Sequence, residues 1–267
     1  PYSSFGGSNA TFDAGKADQG VIYAQYAKQE LIYADLLKEL KEASDQLNTG
    51  SSAFASGDAI YKGNALKWKK FANSLSLRIA NRVRSKLNEA DNRIKEILAN
   101  PAQYPIFESN DDNALLAFET NAPNQAPFYK ATTLANRNDY AVSNVFVDFL
   151  QGKKAVFPVQ DPRLSVYAQP NSKGNYVGQY YGMDMFTASL VSPDSVSKPG
   201  AAFYKSDYKE VLMEYAEVQF ILSEYKNWDQ QHYLNGIRAS MQKWGISNTA
   251  VDSYLQSAPP ASQETVL

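Results

Sequence analysis

The sequence has no cysteine and a single histidine, His232. Thiol nucleophiles, disulfides and zinc–thiolate sites are therefore excluded within this chain, and a site built on several imidazoles would need a second chain. No apolar run approaches the roughly 18 residues of a membrane-spanning helix. Charge of one sign is also scarce. The 26 basic and 28 acidic residues leave a net charge of −2, without the basic excess of a nucleic-acid binder. The phosphate-cradling patterns G-x-x-x-x-G-K-[ST] and G-x-G-x-x-G do not occur, nor does a G-x-S-x-G nucleophile elbow. No secretory leader opens the chain. It begins Pro1-Tyr2-Ser3-Ser4-Phe5, which reads as the middle of a longer protein whose export signal or lipid anchor lies upstream.

What is present is apolar and aromatic. The 267 residues are 44% hydrophobic, enough to bury one large core or two modest ones. Aromatics make up 13%, including 18 tyrosines. Tyrosine joins an apolar ring face to a hydroxyl that tolerates water. That pairing suits sugars, which offer a C–H face for stacking and a rim of hydroxyls.

Hydrophobic period divides the chain into helical ends and an irregular centre. Apolar residues at helical spacing predict helices over 19–47, 66–88 and around Ile94 to Leu98. In the second of these, Trp68, Phe71, Leu75, Ile79 and Val83 form one stripe. Asn100-Pro101 ends the third, because the residue before proline avoids the α region. Residues 101–140 carry Pro101, Pro105, Pro123 and Pro127, and only Leu115 to Phe118 reads as a strand. A helix is predicted over 142–150. A long irregular stretch follows, with short strands near Val166-Tyr167 and Tyr176-Val177, and Gly174, Gly178 and Gly182 as flexible loop positions. Helix returns over 208–225, 230–244 (with Gly245 as its C-cap) and 251–256. The expected fold is mostly α: helix pairs of the tetratricopeptide kind with a large loop-rich region and a few short strands. Residues 1–267 are expected to form one domain, with 101–207 as its ligand face.

Groups able to do chemistry are sparse. Glu210, Glu214 and Glu217 fall at i, i+4 and i+7 of the predicted 208–225 helix. Glycoside hydrolysis needs two acids facing each other across a cleft, and acids along one helix face do not straddle a substrate. They are read as a solvated face. Asp111-Asp112 lacks the spacing of a calcium loop. His232 is read as a partly exposed surface residue. The basic run from Lys67 to Lys86 is read as the polar flank of a buried helix.

Five segments, in order, resemble the SusD/RagB family, in particular its SusD-like-2 branch. They are Gly57-Asp58-Ala59-Ile60-Tyr61-Lys62-Gly63 leading into Trp68-Lys69-Lys70-Phe71-Ala72-Asn73-Ser74-Leu75; Asn136-Arg137-Asn138-Asp139-Tyr140; Asp161-Pro162-Arg163-Leu164; Tyr215-Ala216-Glu217-Val218-Gln219; and Tyr233-Leu234-Asn235-Gly236-Ile237-Arg238. The resemblance implies a non-catalytic glycan-binding lipoprotein on the extracellular face of the outer membrane. Such a protein captures oligo- or polysaccharide and passes it to a SusC-like TonB-dependent transporter. It uses no cofactor or metal, binds no nucleic acid, and meets the membrane only through a lipid anchor outside this chain. Family members are considerably longer, so N- and C-terminal parts of the full protein are expected beyond this sequence. The link between Glu224 and His232 is shorter than the family leads one to expect.

No family motif carries the ligand-stacking residues, so chemistry selects them. Exposed rings with amide or charged neighbours are the requirement. Phe128, Tyr129, Tyr176, Tyr180 and Tyr181 supply rings; Asn138, Asp139 and Gln179 supply groups for sugar hydroxyls. Trp68, Arg137, Asp161 and Arg163 are assigned structural roles, the arginines pinning loops by pairing with carboxylates. Two rival functions remain on the sequence: a glycoside hydrolase, and a helical-repeat scaffold for a protein or peptide.

Overall fold

The computed structural model describes residues 27–50, 56–153 and 156–266. Among them the chain is mostly α-helical with one two-stranded sheet, in line with the expected fold. The chain divides into two units, one of residues 27–50 and 64–106, the other of residues 56–63 and 107–266.

The first unit consists of helices α1 (Gln29–Gln46), α2 (Ala65–Val83) and α3 (Asn88–Ala99), with α2 packed against both others. The predicted start of α1 at Gln19 lies outside the described residues. Asn64 caps α2, its Oδ1 accepting the Lys67 N–H at 3.0 Å. The helix expected to reach Asn88 ends instead at Val83. Leu87 takes an extended φ of −130° as the cap of a new helix, and Glu89 and Asp91 in its first turn favour that N-terminus electrostatically.

The buried face of α2 also differs from the predicted stripe. Trp68, Phe71, Leu75, Ile79 and Val83 are half-buried, while Asn73, Ser76, Leu77 and Ala80 are fully enclosed. The small residues make room for the Arg93 side chain from α3. Its guanidinium bonds Asn73 Oδ1 at 3.2 Å and Glu96 Oε2 at 2.7 Å, and lies 4.3 Å from the Tyr104 ring centre. The charge is thus paired, hydrogen-bonded and stacked, which is what lets it be buried.

The second unit opens, after a turn around Asp58, with strand β1 (Ala114–Ala117). The short helix α4 (Pro127–Tyr129) then runs into a π turn at Lys130–Leu134. Helices α5 (Asn144–Leu150), α6 (Leu164–Tyr167) and α7 (Met185–Ser189) follow, and a 3-10 turn spans Ala201–Tyr204. Strand β2 (Lys209–Met213) pairs antiparallel with β1, placing Leu116 opposite Glu210. Helices α8 (Tyr215–Tyr225), α9 (Gln230–Lys243), α10 (Asn248–Leu255) and α11 (Gln263–Val266) complete the unit.

Three local expectations are corrected here. The 208–225 helix is a strand followed by a helix, because β1 offers backbone partners to Lys209–Met213 and Asn113 Oδ1 takes the Tyr215 N–H at 2.6 Å, fixing the helix start. Glu210, Glu214 and Glu217 consequently share no helix face: Glu210 sits on β2, Glu214 precedes α8 and pairs with Lys243, and only Glu217 is helical. Val166-Tyr167 belongs to a helical turn, because Asp161 Oδ1 accepts the Arg163 N–H at 2.8 Å and turns the chain. Around Tyr176-Val177 there is no strand, only a lone bridge between Ser143 and Gln179.

Helices α8 and α9 form the principal pair. Residues 226–229 connect them, with Asn227 and Trp228 in left-handed conformation (φ 58° and 64°) and Asp229 capping α9 through the His232 N–H at 2.9 Å. The short link is therefore a tight, hydrogen-bonded turn. Gly245 ends α9 at φ 75°, as its sequence position predicts. Tyr233, Ile237 and Met241 from α9 meet Val251 and Tyr254 from α10 in one hydrophobic core, joined by Phe157 and Phe220. No described helix is long and apolar enough to cross a membrane.

An aromatic cavity as candidate functional site

The wall of the site is built outward from the Asp161-Pro162-Arg163-Leu164 segment. Asp161 is only 4% exposed, and its N–H donates to the Leu150 carbonyl at 2.7 Å. Arg163 donates to both Asp161 carboxylate oxygens, Nη2 at 2.6 Å and Nε at 3.0 and 3.2 Å, while its Nη1 reaches Ser240 Oγ at 2.7 Å. A forked, charge-assisted pair of this kind fixes geometry as well as adding energy. It ties the start of α6 to the end of α5 and to α9. Leu150, Leu164 and Ala168 bury together behind it, with Val142, Tyr167 and Tyr176 packed on them.

Tyr167, at the end of α6, is thereby held in place and becomes the hub of a ring cluster. Phe146 and Trp244 meet it edge-on at 5.4 and 5.2 Å, and Phe203 lies nearly parallel at 6.5 Å. Phe203 arrives because the chain at Gly200 runs against α6. A Cβ there would stand 1.7 Å from the Val166 carbonyl oxygen, so only glycine fits. The Gly200 N–H bonds the Tyr167 carbonyl at 2.9 Å, and the 3-10 turn that follows presents Phe203 and Tyr204. Tyr204 meets Phe128 at 5.2 Å, and Phe128 meets Tyr140 at 4.9 Å, both edge-on. Phe128 is supported by Pro127 at the first position of α4.

These rings wall an open cavity of about 860 Å³, within the range of ligand sites. Phe118, Phe128, Tyr140, Phe146, Tyr167, Phe203 and Tyr208 line it, with Pro127 and Pro199 between them and Glu210 at one side. Burial pushes the Tyr167 and Tyr208 hydroxyls above the usual tyrosine range, with the Glu210 charge adding to the effect at Tyr208. Both hydroxyls therefore stay protonated and able to donate. The chemistry on offer is stacking on ring faces with a few hydrogen-bonding groups, which is what an amphipathic, hydroxyl-bearing ligand requires. No group of three or more His, Asp or Glu able to hold a metal occurs among the described residues.

The residues chosen from the sequence separate into two places. Phe128 lines the cavity. Tyr129 follows it in α4 but is not on the lining. Asp139 is bound by Arg137, at 2.6 Å to Nη2 and 3.0 Å to Nε, and the Arg137 side chain lies 5.0 Å from the ring of the lining residue Tyr140. That guanidinium holds the exposed Asp139 carboxyl below the usual carboxylate range. Asn138 between them is exposed.

Tyr176 instead packs on the Leu150 cluster. Gln179 is held by its backbone, which exchanges hydrogen bonds with Val142 and Asn144 at 2.8 and 2.7 Å. Tyr180 and Tyr181 stand 72% and 86% exposed, off the cavity lining. Of the three glycines read as flexible, Gly178 is packed, with a Cβ position 2.4 Å from Asn144 Cα, while Gly174 and Gly182 face open space. Trp68 belongs to the other unit, edge-on to Phe71 at 5.9 Å. Sequence reasoning passed over Phe146, Tyr167, Phe203 and Tyr208. The signal that could have found Tyr167 is its place three residues after the Asp161-to-Leu164 motif.

A helical frame carrying an irregular, ring-lined region is the class of architecture these observations define. The chain belongs to the SusD-like 2 family, described as starch-binding and associating with the outer membrane, whose pattern matches residues 7–266. Solved structures agree in fold. A chitin-binding protein superposes with a TM-score of 0.72 at 24% identity, over 91% of this chain and 56% of that one. A SusD homolog from Bacteroides uniformis gives 0.71 at 26% identity, over 88% and 48%. A SusD homolog from Bacteroides fragilis gives 0.71 at 23% identity, over 91% and 57%. The chain thus spans about half the length of these proteins. No curated protein matches it.

Proposed function

We propose that this chain is the ligand-holding part of a non-catalytic glycan-binding protein of the outer membrane, anchored by lipid on the extracellular face. In this reading it captures oligo- or polysaccharide and passes it to a SusC-like TonB-dependent transporter. The observation that carries the reading is the aromatic cavity, in which rings fixed by one another surround a space of about 860 Å³. The family description as starch-binding supports it, as does the chitin-binding relative of the same fold. Binding without cleavage is supported by the lining, where Glu210 is the only carboxylate; two are needed across a glycosidic bond. Asn138 and Asp139, next to Tyr140, are proposed to meet sugar hydroxyls at the cavity margin.

A second reading has one observation in its favour. Tyr180 and Tyr181 are among the most exposed rings, and stacking there, with Tyr176 and Gln179 as neighbours in sequence, is the second reading. Calorimetric titration with a panel of neutral oligosaccharides decides between them. Saturable binding weakened by Phe128→Ala and Phe203→Ala, without release of reducing sugar, is the expected result. Binding that survives both substitutions but is lost in Tyr180→Ala/Tyr181→Ala would move the site to the exposed loop.

A further inference from the structure

We propose that the cavity selects its glycan by charge, favouring chains that carry free ammonium groups, 2-amino sugars, over acidic ones. The proposal rests on reading the cavity as a glycan site and adds what kind of glycan it takes. Glu210 is the only charged side chain on the lining, and no lysine or arginine faces it there. It stands exposed on β2 opposite Leu116, and its sequence neighbour Lys209 points to the other face of the sheet.

Among the described residues Glu210 has no ion-pair partner, whereas three other carboxylates of this unit do. Arg137 binds Asp139, Arg163 binds Asp161 and Lys243 binds Glu214. Arg137 over Tyr140 therefore brings no net positive charge to the margin, since Asp139 cancels it.

A carboxylate without an ion-pair partner at the side of the cavity attracts an ammonium and repels a uronate or sulfate. A neutral sugar gains only a hydrogen bond there. The site accordingly ranks glycans as amino sugar above neutral above acidic. The separation comes from electrostatics and shrinks as salt is added.

The test compares glucosamine, N-acetylglucosamine, neutral gluco- and galacturonate oligomers of equal length by calorimetry at low ionic strength and about pH 6. The expected result is a glucosamine oligomer bound about fivefold more tightly than its N-acetylated counterpart, the upper range for one partly exposed ion pair, with the galacturonate weakest. In Glu210→Gln that ratio falls to about one, and in Glu210→Lys the galacturonate overtakes the glucosamine oligomer. Unfolding midpoints of the variants, expected to match the parent, confirm that the strand is intact. A preference that persists in Glu210→Gln, or equal affinities in the parent protein, overturns the proposal. Neutral or N-acetylated oligomers that bind through Phe203 with no amino preference overturn charge selection alone. Failure of every oligomer to bind, or binding indifferent to Phe203→Ala, overturns the glycan site and this proposal with it.

Discussion

The cavity and the 176–190 segment are both rich in rings, and the chain holds them in opposite ways. In the cavity rings are clamped by other rings: Phe128 between Tyr140 and Tyr204, and Tyr167 among Phe146, Trp244 and Phe203. In the 176–190 segment the backbone is pinned, and beyond Tyr176, which packs on the Leu150 cluster, the rings are not. Asn144 Oδ1 takes the Tyr181 N–H at 3.1 Å while the ring stands 86% exposed, and Met185 and Phe186 in α7 are similarly open. A clamped ring has lost its rotational freedom before any ligand arrives, so a sugar stacking on it does not bear that entropy cost again. A free ring must be ordered on binding. Clustering of rings beside amides, which picked out Tyr180 and Tyr181 in the sequence, is therefore a weaker sign of a stacking platform than ring-on-ring support.

The comparison is broken most severely at its anchor. Arg163→Ala leaves the buried Asp161 carboxylate without its partner, and removal of one member of such a pair costs about 3–5 kcal/mol. Urea unfolding should show that loss, together with loss of the cavity, because α6 and Tyr167 hang from this pair. A stability equal to the parent would mean that the motif does not hold the wall. Next is Gly200→Ala. Its Cβ would overlap the Val166 carbonyl, and relief of such overpacking costs about 1–3 kcal/mol. Because the strain falls on the segment carrying Phe203, affinity for oligosaccharide should fall along with the melting temperature. Gly174→Ala meets no atoms; it bears only the left-handed backbone, worth about 1 kcal/mol, and should leave affinity alone.

Single rings sharpen the comparison further. Phe203→Ala should weaken binding by at least about fivefold, corresponding to about 1 kcal/mol. Tyr181→Ala should change it by less than about twofold if clamped rings are what the ligand uses. The reverse order, measured in the same calorimetric panel, would assign the ligand to the exposed loop.

The helical frame was legible in the sequence, and the cavity was not. Helix period exposed α2, α5, α9 and α10 because each buries one side against a neighbour. Gly245 marked the end of α9 by its backbone freedom. Pairing across distance leaves no such local trace. The turn of Lys209–Met213 into a strand depends on β1, nearly a hundred residues earlier, and its Glu210 joined a helix face on paper that the fold dissolves. The rings of the cavity are likewise drawn from Phe118 to Tyr208, with no spacing to link them. Arg163 could be singled out by motif, yet its second partner, Ser240, is visible only in three dimensions.

The smallest expected effect tests whether acid acts on the frame or on the cavity. His232 lies in α9, its Nδ1 2.9 Å from Gln219 Oε1 and its Nε2 2.8 Å from Lys226 Nζ. With Lys226 donating to Nε2, the ring is neutral and Nδ1–H donates to Gln219. Burial, and then the Lys226 charge, hold its pKa below the ordinary 6.5. The unfolded chain therefore takes up a proton at a higher pH than the folded one. Stability is complete above pH 6.5 and declines as the pH falls from there to the folded pKa, below which it levels off. The side chain is partly exposed, so water screens the effect to well under about 1 kcal/mol. Urea midpoints between pH 7.5 and 5 should show this decline, and His232→Gln should flatten the part due to this residue. Oligosaccharide affinity should stay level over the same range, since no histidine lines the cavity. A parallel loss of affinity that disappears in His232→Gln would mean that α9 and the ring wall respond as one, and the clamped rings would then owe their rigidity to the helix pair rather than to each other.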